Sequence, residues 1–280
     1  MRSRYQNIKN VLYHTFVILF GYVMVYPVLW MIASSLKPNT EVFSDYSLIP
    51  SSIDVSSYFR GWKGVGGVTF TTFFRNSFFY SILATIGVVL SSAFVAYGFA
   101  RIRFWGKKFW FSCMLLTMML PYQIVMIPQY ILFFKLRWVN TFAPLIVPTF
   151  FGQAFFIFLM VQFIRGLPVE LDESAKIDGC GRLRVFLHII FPLLTPAIIT
   201  SVIFQFYWKW DDFLGPLLYL NRPDHYTVSL ALRMFSDPTT TTDWSALFAM
   251  GSLSLVPIFV IFVFFQRYLV EGISTSGLKA

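Results

Sequence analysis

The chain has 280 residues, of which 57% are hydrophobic and only 12% charged, with a formal net charge of +9. A soluble domain carries roughly 25% charged residues, so an ordinary water-soluble core is excluded, and the 34 phenylalanines suit helix surfaces that face lipid. The net positive charge could suggest nucleic acid, but its distribution along the chain, taken up below, excludes that class.

Six stretches reach the ~20 apolar residues that a membrane helix needs. After a basic N-terminal segment, residues 1–12 with Arg2, Arg4 and Lys9, the first span is expected over 13–34. It is too long for the apolar region of a signal peptide and five more spans follow, so it reads as a retained helix. A polar loop over 36–72 then carries Gly61, Gly64, Gly66 and Gly67. The second span (76–99) and third span (109–134) are joined by a short basic connection, and the fourth covers 142–164. A long connection over 165–188 leads to the fifth span (189–207). The loop 207–244 is dense in turn residues, with Pro216, Pro223, Pro238 and four consecutive threonines. The sixth span (246–265) and a tail (266–280) close the six-helix domain of 13–265. Pro121, Pro128, Pro144, Pro148, Pro192, Pro196 and Pro257 should kink the spans they occupy.

Lys and Arg placement orients the chain. With the N-terminus inside, the inner segments hold thirteen basic residues against five acidic ones, and the outer segments nine against eight. Both termini are therefore expected in the cytoplasm. A basic inner face and a nearly neutral outer one are products of membrane topology, so nucleic acid drops out as a partner and lipid enters. Cys113 and Cys180 make neither a metal-ligand spacing nor a disulfide framework and read as packing residues.

The inner connection 165–188 is unlike the rest. Pro168 can open a helix whose first turns hold Glu170, Asp172 and Glu173, where the helix dipole favours carboxylates. Gly179 and Gly181 break it, and Leu183, Phe186 and Leu187 begin a second helix toward Pro192. An amphipathic helix–turn–helix at the inner face touches either lipid headgroups or a soluble partner. Those two readings stay open on the residues alone.

The order Glu173-Ser174-Ala175, Gly179, Ile189, Pro192 resembles the coupling motif of bacterial ABC importer permeases, which reads Glu-Ala-Ala, three residues, Gly, nine residues, then Ile-x-Leu-Pro. The chain departs from it at Ser174 and Phe191. The stretch FYWKWDDFLGPLLYL (Phe206–Leu220) is similar to the Trp-Asn-Asp-Phe segment of the carbohydrate-uptake class, related to the second maltose-importer permease, with Asp211 for Asn. The tail from Gln266 to Ala280 is similar to the ending of that class. The resemblance implies an all-α, type I permease fold of six transmembrane helices. It implies that Glu173, Ser174, Ala175, Asp178, Gly179, Ile189 and Pro192 couple the chain to an ATPase, with Glu173 paired to or capping against a basic group there. It implies no cofactor on this chain itself, with ATP and Mg held by two ATP-binding partner subunits. The other implied partners are a second permease and an extracytoplasmic solute-binding protein probed by the loop Arg222–Asp243. The implied location is the bacterial inner membrane. The cargo implied is an oligosaccharide, and the ending and the Trp-Asp-Asp run are most similar to permeases for oligouronides such as pectin or alginate fragments.

The residues support this reading. No Gly-x-x-x-x-Gly-Lys-Ser/Thr phosphate loop is present, so energy must come from a partner. A membrane enzyme lacks support, since neither His-Glu-x-x-His nor Gly-x-Ser-x-Gly occurs. The alternative is an ion-coupled secondary sugar transporter, which usually keeps acidic groups or histidine inside the bilayer; none lies centrally in a span. For the sugar path the candidates are Gln123, Gln153, Gln205, Tyr207, Trp208, Trp210, Asp211 and Asp212, with Gln129 beside them. Aromatic faces and amides suit sugars. The same glutamines also serve as hydrogen-bond links between helices, the aromatics as interface anchors, and the aspartates as caps or partners of Lys209.

Overall fold

The structure, a computed structural model, describes residues 2–235 and 242–277, and is all-helical there apart from one isolated bridge between Val65 and Val68. Helices α1 (Arg2–Ser35), α2 (Ser56–Trp62) and α3 (Phe70–Arg101) come first. Next are α4 (Lys107–Thr117), α5 (Tyr122–Lys135), α6 (Ala143–Ile146) and, after a 3-10 turn, α7 (Ala154–Gly166). Helices α8 (Glu170–Ile177), α9 (Arg182–Val185), α10 (Phe191–Leu193) and α11 (Thr195–Trp210) follow. The last are α12 (Leu214–Tyr219), α13 (Val228–Phe235) and α14 (Trp244–Gly277). Helix is the natural outcome, because hydrocarbon offers the backbone no water and each N–H and C=O must be satisfied within the segment.

Four segments are long and apolar enough to cross a membrane unbroken or nearly so: Lys9–Ser35, Phe70–Arg101, Ala143–Gly166 and Trp244–Arg267. Two bent pairs bring the number to six. The third and fifth spans, which their prolines were expected to kink, are each broken into two helices. Helices α4 and α5 meet at 96°, because Pro121 stands at the junction with an extended ψ of 134° and has no N–H to continue the ladder. The fifth span bends by 73° between Leu193 and Thr195, where Pro196 enters the first turn of α11 and a π-helical turn over Phe186–Ile190 precedes the break.

The chain divides into two compact units. The first holds the residues up to Phe70 together with Ala231–Val256. Its loop after α1 is tied by a buried lysine: Lys37 donates to the carbonyls of Asp45 (2.5 Å) and Ser47 (2.7 Å) and lies 3.6 Å from the Asp45 carboxylate. Ser57 of α2 donates to the Ser35 carbonyl at 2.5 Å. Asp243 caps α14, accepting the Ala246 N–H at 3.1 Å, and Asn39 accepts the Trp244 N–H at 2.8 Å. Arg60 donates to Asp243 at 2.7 Å and faces Asp54 at 3.4 Å. Trp30, Phe43, Trp244 and Phe248 pack edge to face around this frame.

The second unit holds Thr71–Leu230 and Pro257–Ala280, and α3 is its axis. Val89, Ala93, Ala96 and Tyr97 recur at helical spacing on one face of α3 and bury against Ile157, Met160, Val161 and Ile164 of α7. Earlier on α3, Tyr80 and Ala84 pack with Phe133, Leu145, Ile146 and Tyr219. Between these clusters Gly87 lets α3 approach the 3-10 turn closely: a Cβ there would lie 2.6 Å from Thr149 Oγ1 and 2.7 Å from the Phe150 ring.

The segment 207–244, taken as a loop from its turn residues, is largely ordered. Its first four residues are the end of α11, and α12 and α13 lie within it. Its apolar residues explain this: Tyr219, Leu220, Val228 and Leu230 are buried. Asn76 on α3 donates to the carbonyls of Asp224 (2.8 Å) and Tyr226 (3.0 Å), and Ser77 accepts the Val228 N–H at 2.8 Å. Pro238 and three of the four threonines lie outside the described residues. The tail continues α14 to Gly277; Lys279, Ala280 and the side chains beyond Arg267 lie outside them too.

Candidate functional sites

The first site is the connection between the fourth and fifth spans. Helix α8 carries Glu170, Asp172 and Glu173 in its first turn. Its far end is a complete Schellman cap: Gly179 N–H reaches the Lys176 carbonyl at 3.0 Å and Cys180 N–H the Ala175 carbonyl at 2.9 Å. That cap needs Gly179 at φ +76°, where a side chain is strained. One face of α8 is fastened. Ala175 is buried in the core with Tyr97, Val185 and Phe186, and Asp172 lies 3.0 Å from Arg101 at the end of α3. Both of these side chains are buried, and the pair is held by charge because its angle is not that of a hydrogen bond. Arg101 also donates to the carbonyls of Leu167 (2.8 Å) and Pro168 (3.2 Å), so one guanidinium grips the start of the connection as well as α8.

The other face is bare. Glu173, Ser174, Asp178 and Gly179 are exposed, and Ile177 is 87% exposed. Leu183 and Leu187 add apolar surface. Ser174 turns its hydroxyl back onto the Glu170 carbonyl at 2.8 Å. Nothing lies within 4 Å of where a Gly179 Cβ would stand. Ile189 is half-buried against the core and Pro192 is exposed, so those two belong to the path into α11 and not to the bare turn.

The second site is a cavity of about 490 Å³ inside the second unit. From α11 and its end, Gln205, Trp208, Lys209 and Asp212 face it. Their spacing of three, four and seven residues puts all four on one helical face. Gln129, Gln153, Tyr122 and Tyr219 line the remaining walls. Gln205 is fully buried and neither of its amide atoms has a hydrogen-bond partner. Asp212 is well held: Oδ2 accepts the Tyr80 hydroxyl at 2.5 Å and Oδ1 accepts the Gly215 N–H at 3.0 Å. The Lys209 ammonium lies 4.0 Å from Asp212 Oδ2 and 5.6 Å from the centre of the Tyr80 ring.

Of the proposed sugar-path residues, Gln153, Gln205, Trp208 and Asp212 thus meet at one cavity, with Gln129. The others do not line it. Gln123 is exposed at the start of α5, and Tyr207 and Asp211 project from other faces of α11 and its end. Trp210 is buried, stacked on Phe206 at 5.6 Å and edge-on to Phe78 at 4.8 Å, as a packing residue. Asp212 accepts the Gly215 N–H in the turn that leads into α12, and stands 4.0 Å from Lys209. Sequence reasoning passed over Arg101, Asp172 and Tyr80 as site residues. Arg101 entered only as one more inner charge, Asp172 only as a helix-start carboxylate. Lys209 was weighed only as a partner for aspartate.

Broken spans, a capped turn and a half-open cavity of mixed polarity are features that the comparisons with known proteins place in a class. The fold matches a chain in the crystal structure of a bacterial ABC transporter involved in the import of the acidic polysaccharide alginate, with a TM-score of 0.84 over 95% of this chain and 98% of that one, at 19% identity. Residues 87–275 match the family described as the binding-protein-dependent transport system inner membrane component, and the chain belongs to that family. It is 33% identical to the arabinooligosaccharides transport system permease protein AraQ of Halalkalibacterium halodurans, over 92% of each chain. It is 30% identical to the multiple sugar-binding transport system permease protein MsmG of Streptococcus mutans, over 92% of this chain and 93% of that one.

Proposed function

We propose that the chain is one of two permease subunits of an ABC importer that carries an oligosaccharide into the cytoplasm. A solute-binding protein delivers the sugar outside, and two ATP-binding subunits dock on the 165–188 connection inside, where both termini lie. The observation that carries this reading is the two-faced docking turn. Arg101, Asp172 and Ala175 fasten one side of α8 to α3, while Glu173, Ile177, Asp178 and Gly179 stand uncovered on the other. A turn held rigidly from behind and bare in front can pass a partner's movement into the spans. The family assignment supports the subunit role, and relatives named for arabinooligosaccharides and for multiple sugars support the cargo class. In this reading Glu173 pairs with a basic group of the ATPase, and Ser174 and Asp178 border the contact.

The ion-coupled alternative has Lys209 and Asp212 as its charged candidates in the cavity. Both Asp212 oxygens already accept bonds, from Tyr80 and from Gly215, so that carboxylate is engaged within the fold. The deciding experiment is uptake of labelled oligosaccharide into vesicles holding the complete assembly. Accumulation is expected with ATP and the sugar-loaded binding protein, and none with a proton gradient alone. Sustained accumulation on the gradient without ATP would overturn the proposal.

A further inference from the structure

Resting on the reading that an oligosaccharide passes through the cavity beside α11, we infer that Lys209 receives a carboxylate of that sugar, so that the cargo is an oligouronide and not a neutral oligosaccharide. The inference starts from an imbalance between two neighbours. Asp212 has a donor on each carboxylate oxygen, the Tyr80 hydroxyl at 2.5 Å and the Gly215 N–H at 3.0 Å. Tyr80 is fully buried in its own aromatic cluster, and its hydroxyl occupies Asp212 Oδ2, the same oxygen that faces Lys209. Lys209 is held more loosely, by an ion pair with Asp212 at 4.0 Å and the face of the Tyr80 ring at 5.6 Å. At those distances it makes no hydrogen bond to either, and it lines the cavity with three N–H donors to offer.

An ammonium whose carboxylate partner stands at 4.0 Å can still accept a closer one, and a ligand carboxylate offers charge-assisted bonds, the stronger kind. One turn earlier on the same face stands Gln205, fully buried with its amide oxygen and nitrogen both unpartnered. Its amide offers a donor and an acceptor to a hydroxyl. Trp208 lies between them with its ring partly open, and Gln129 and Gln153 lie on other walls. A carboxylate receiver, a hydroxyl-reading amide and an aromatic face in series match a uronic-acid ring. Asp212 already balances the formal charge of Lys209, which favours a monoanionic carboxylate over a dianionic phosphate ester. A volume of about 490 Å³ falls within the range of small-molecule sites.

The test compares a short oligogalacturonate with its methyl ester, which keeps the skeleton and removes the charge. Both are offered to the reconstituted assembly with the same binding protein, so that protein's own preference is common to all variants and cancels. The ratio of kcat/KM for acid over ester should fall roughly tenfold or more in Lys209→Gln and be largely restored in Lys209→Arg. Because the readout is a ratio, a general loss of yield or folding does not move it. An unchanged ratio in Lys209→Gln overturns the inference. So does ATP-driven uptake by the wild type of neutral oligosaccharides only, an outcome that leaves the importer reading intact. A wild-type assembly that carries no oligosaccharide of either kind overturns the importer reading itself.

Discussion

Arg101 and Asp172 meet 3.0 Å apart with both side chains buried, and they join the end of α3 to the first turn of α8. Removing one member of a buried pair leaves an uncompensated charge and costs about 3–5 kcal/mol, whereas replacing both by apolar residues is often close to neutral. Arg101→Met and Asp172→Leu should each lower the thermal midpoint strongly, and the double variant should recover most of the loss. Its uptake should nevertheless stay low if the charge pair holds the angle of α8. A double-mutant cycle on melting and on uptake reads the two effects separately; additive losses in melting would show that the pair is not coupled.

The docking turn offers a sharper contrast. Gly179→Ala and Gly179→Asn both meet φ +76°, but Asn tolerates the left-handed region better. Space around the Cβ is open. The backbone cost is therefore about 1–2 kcal/mol for Ala and less for Asn, and the protein should insert normally and melt modestly below the wild type. ATP-driven uptake should fall at least severalfold in both, and be abolished in Gly179→Asp, if a partner's backbone packs there. Wild-type uptake in Gly179→Asp would remove the docking role from this turn.

Close approach, and not φ, is the issue at Gly87. A Cβ there lies under 3 Å from Thr149 and Phe150. Gly87→Val should cost about 1–3 kcal/mol through overpacking, read as a lower melting midpoint in detergent, while Gly98→Ala, with nothing within 4 Å, should be nearly silent.

A pH-dependent contribution sits in the first unit. Burial raises the Asp243 carboxyl pKa, but the Arg60 guanidinium, the Ala246 N–H and the Ser245 hydroxyl outweigh it, so the net shift is downward. A depressed folded pKa means stability present above the ordinary carboxylate value of about 3.9 and lost as pH falls through the folded value. Arg60 is 39% and Asp243 33% exposed, so solvent screening limits the pair to about 1 kcal/mol at most. The melting gap between wild type and Asp243→Asn should be constant from pH 7 to 5 and close below pH 4.

Much of this was legible in order along the chain. The six apolar stretches, the carboxylates opening α8 and the glycine ending it are local signals, each carried by a few neighbouring residues. The prolines announced kinks but not their size. The 96° between α4 and α5 depends on how two half-helices pack after Pro121 interrupts the ladder. Arg101 and Asp172 stand 71 positions apart, and no pattern of spacing links them until α3 and α8 are folded together. The cavity shows the same division. Gln205 and Trp208 were visible as polar and aromatic residues in an apolar run, but Tyr207 and Trp210 looked equal to them until helix phase sorted one face from the rest. The short helices within 207–244 were not legible because proline and threonine are frequent there, while the buried Tyr219, Leu220 and Val228 that order the segment are few.

Helix α1 has one further consequence. Only 6% of its apolar window is buried by the chain itself, against 50% for α3. A helix so poorly covered gains little from its own fold, and what steadies it is whatever molecule lies alongside. The free energy measured for the solitary subunit is therefore a property of its surroundings as much as of its sequence. It should rise with the concentration of any neighbour that binds the native form, by the mass-action law that governs a ligand.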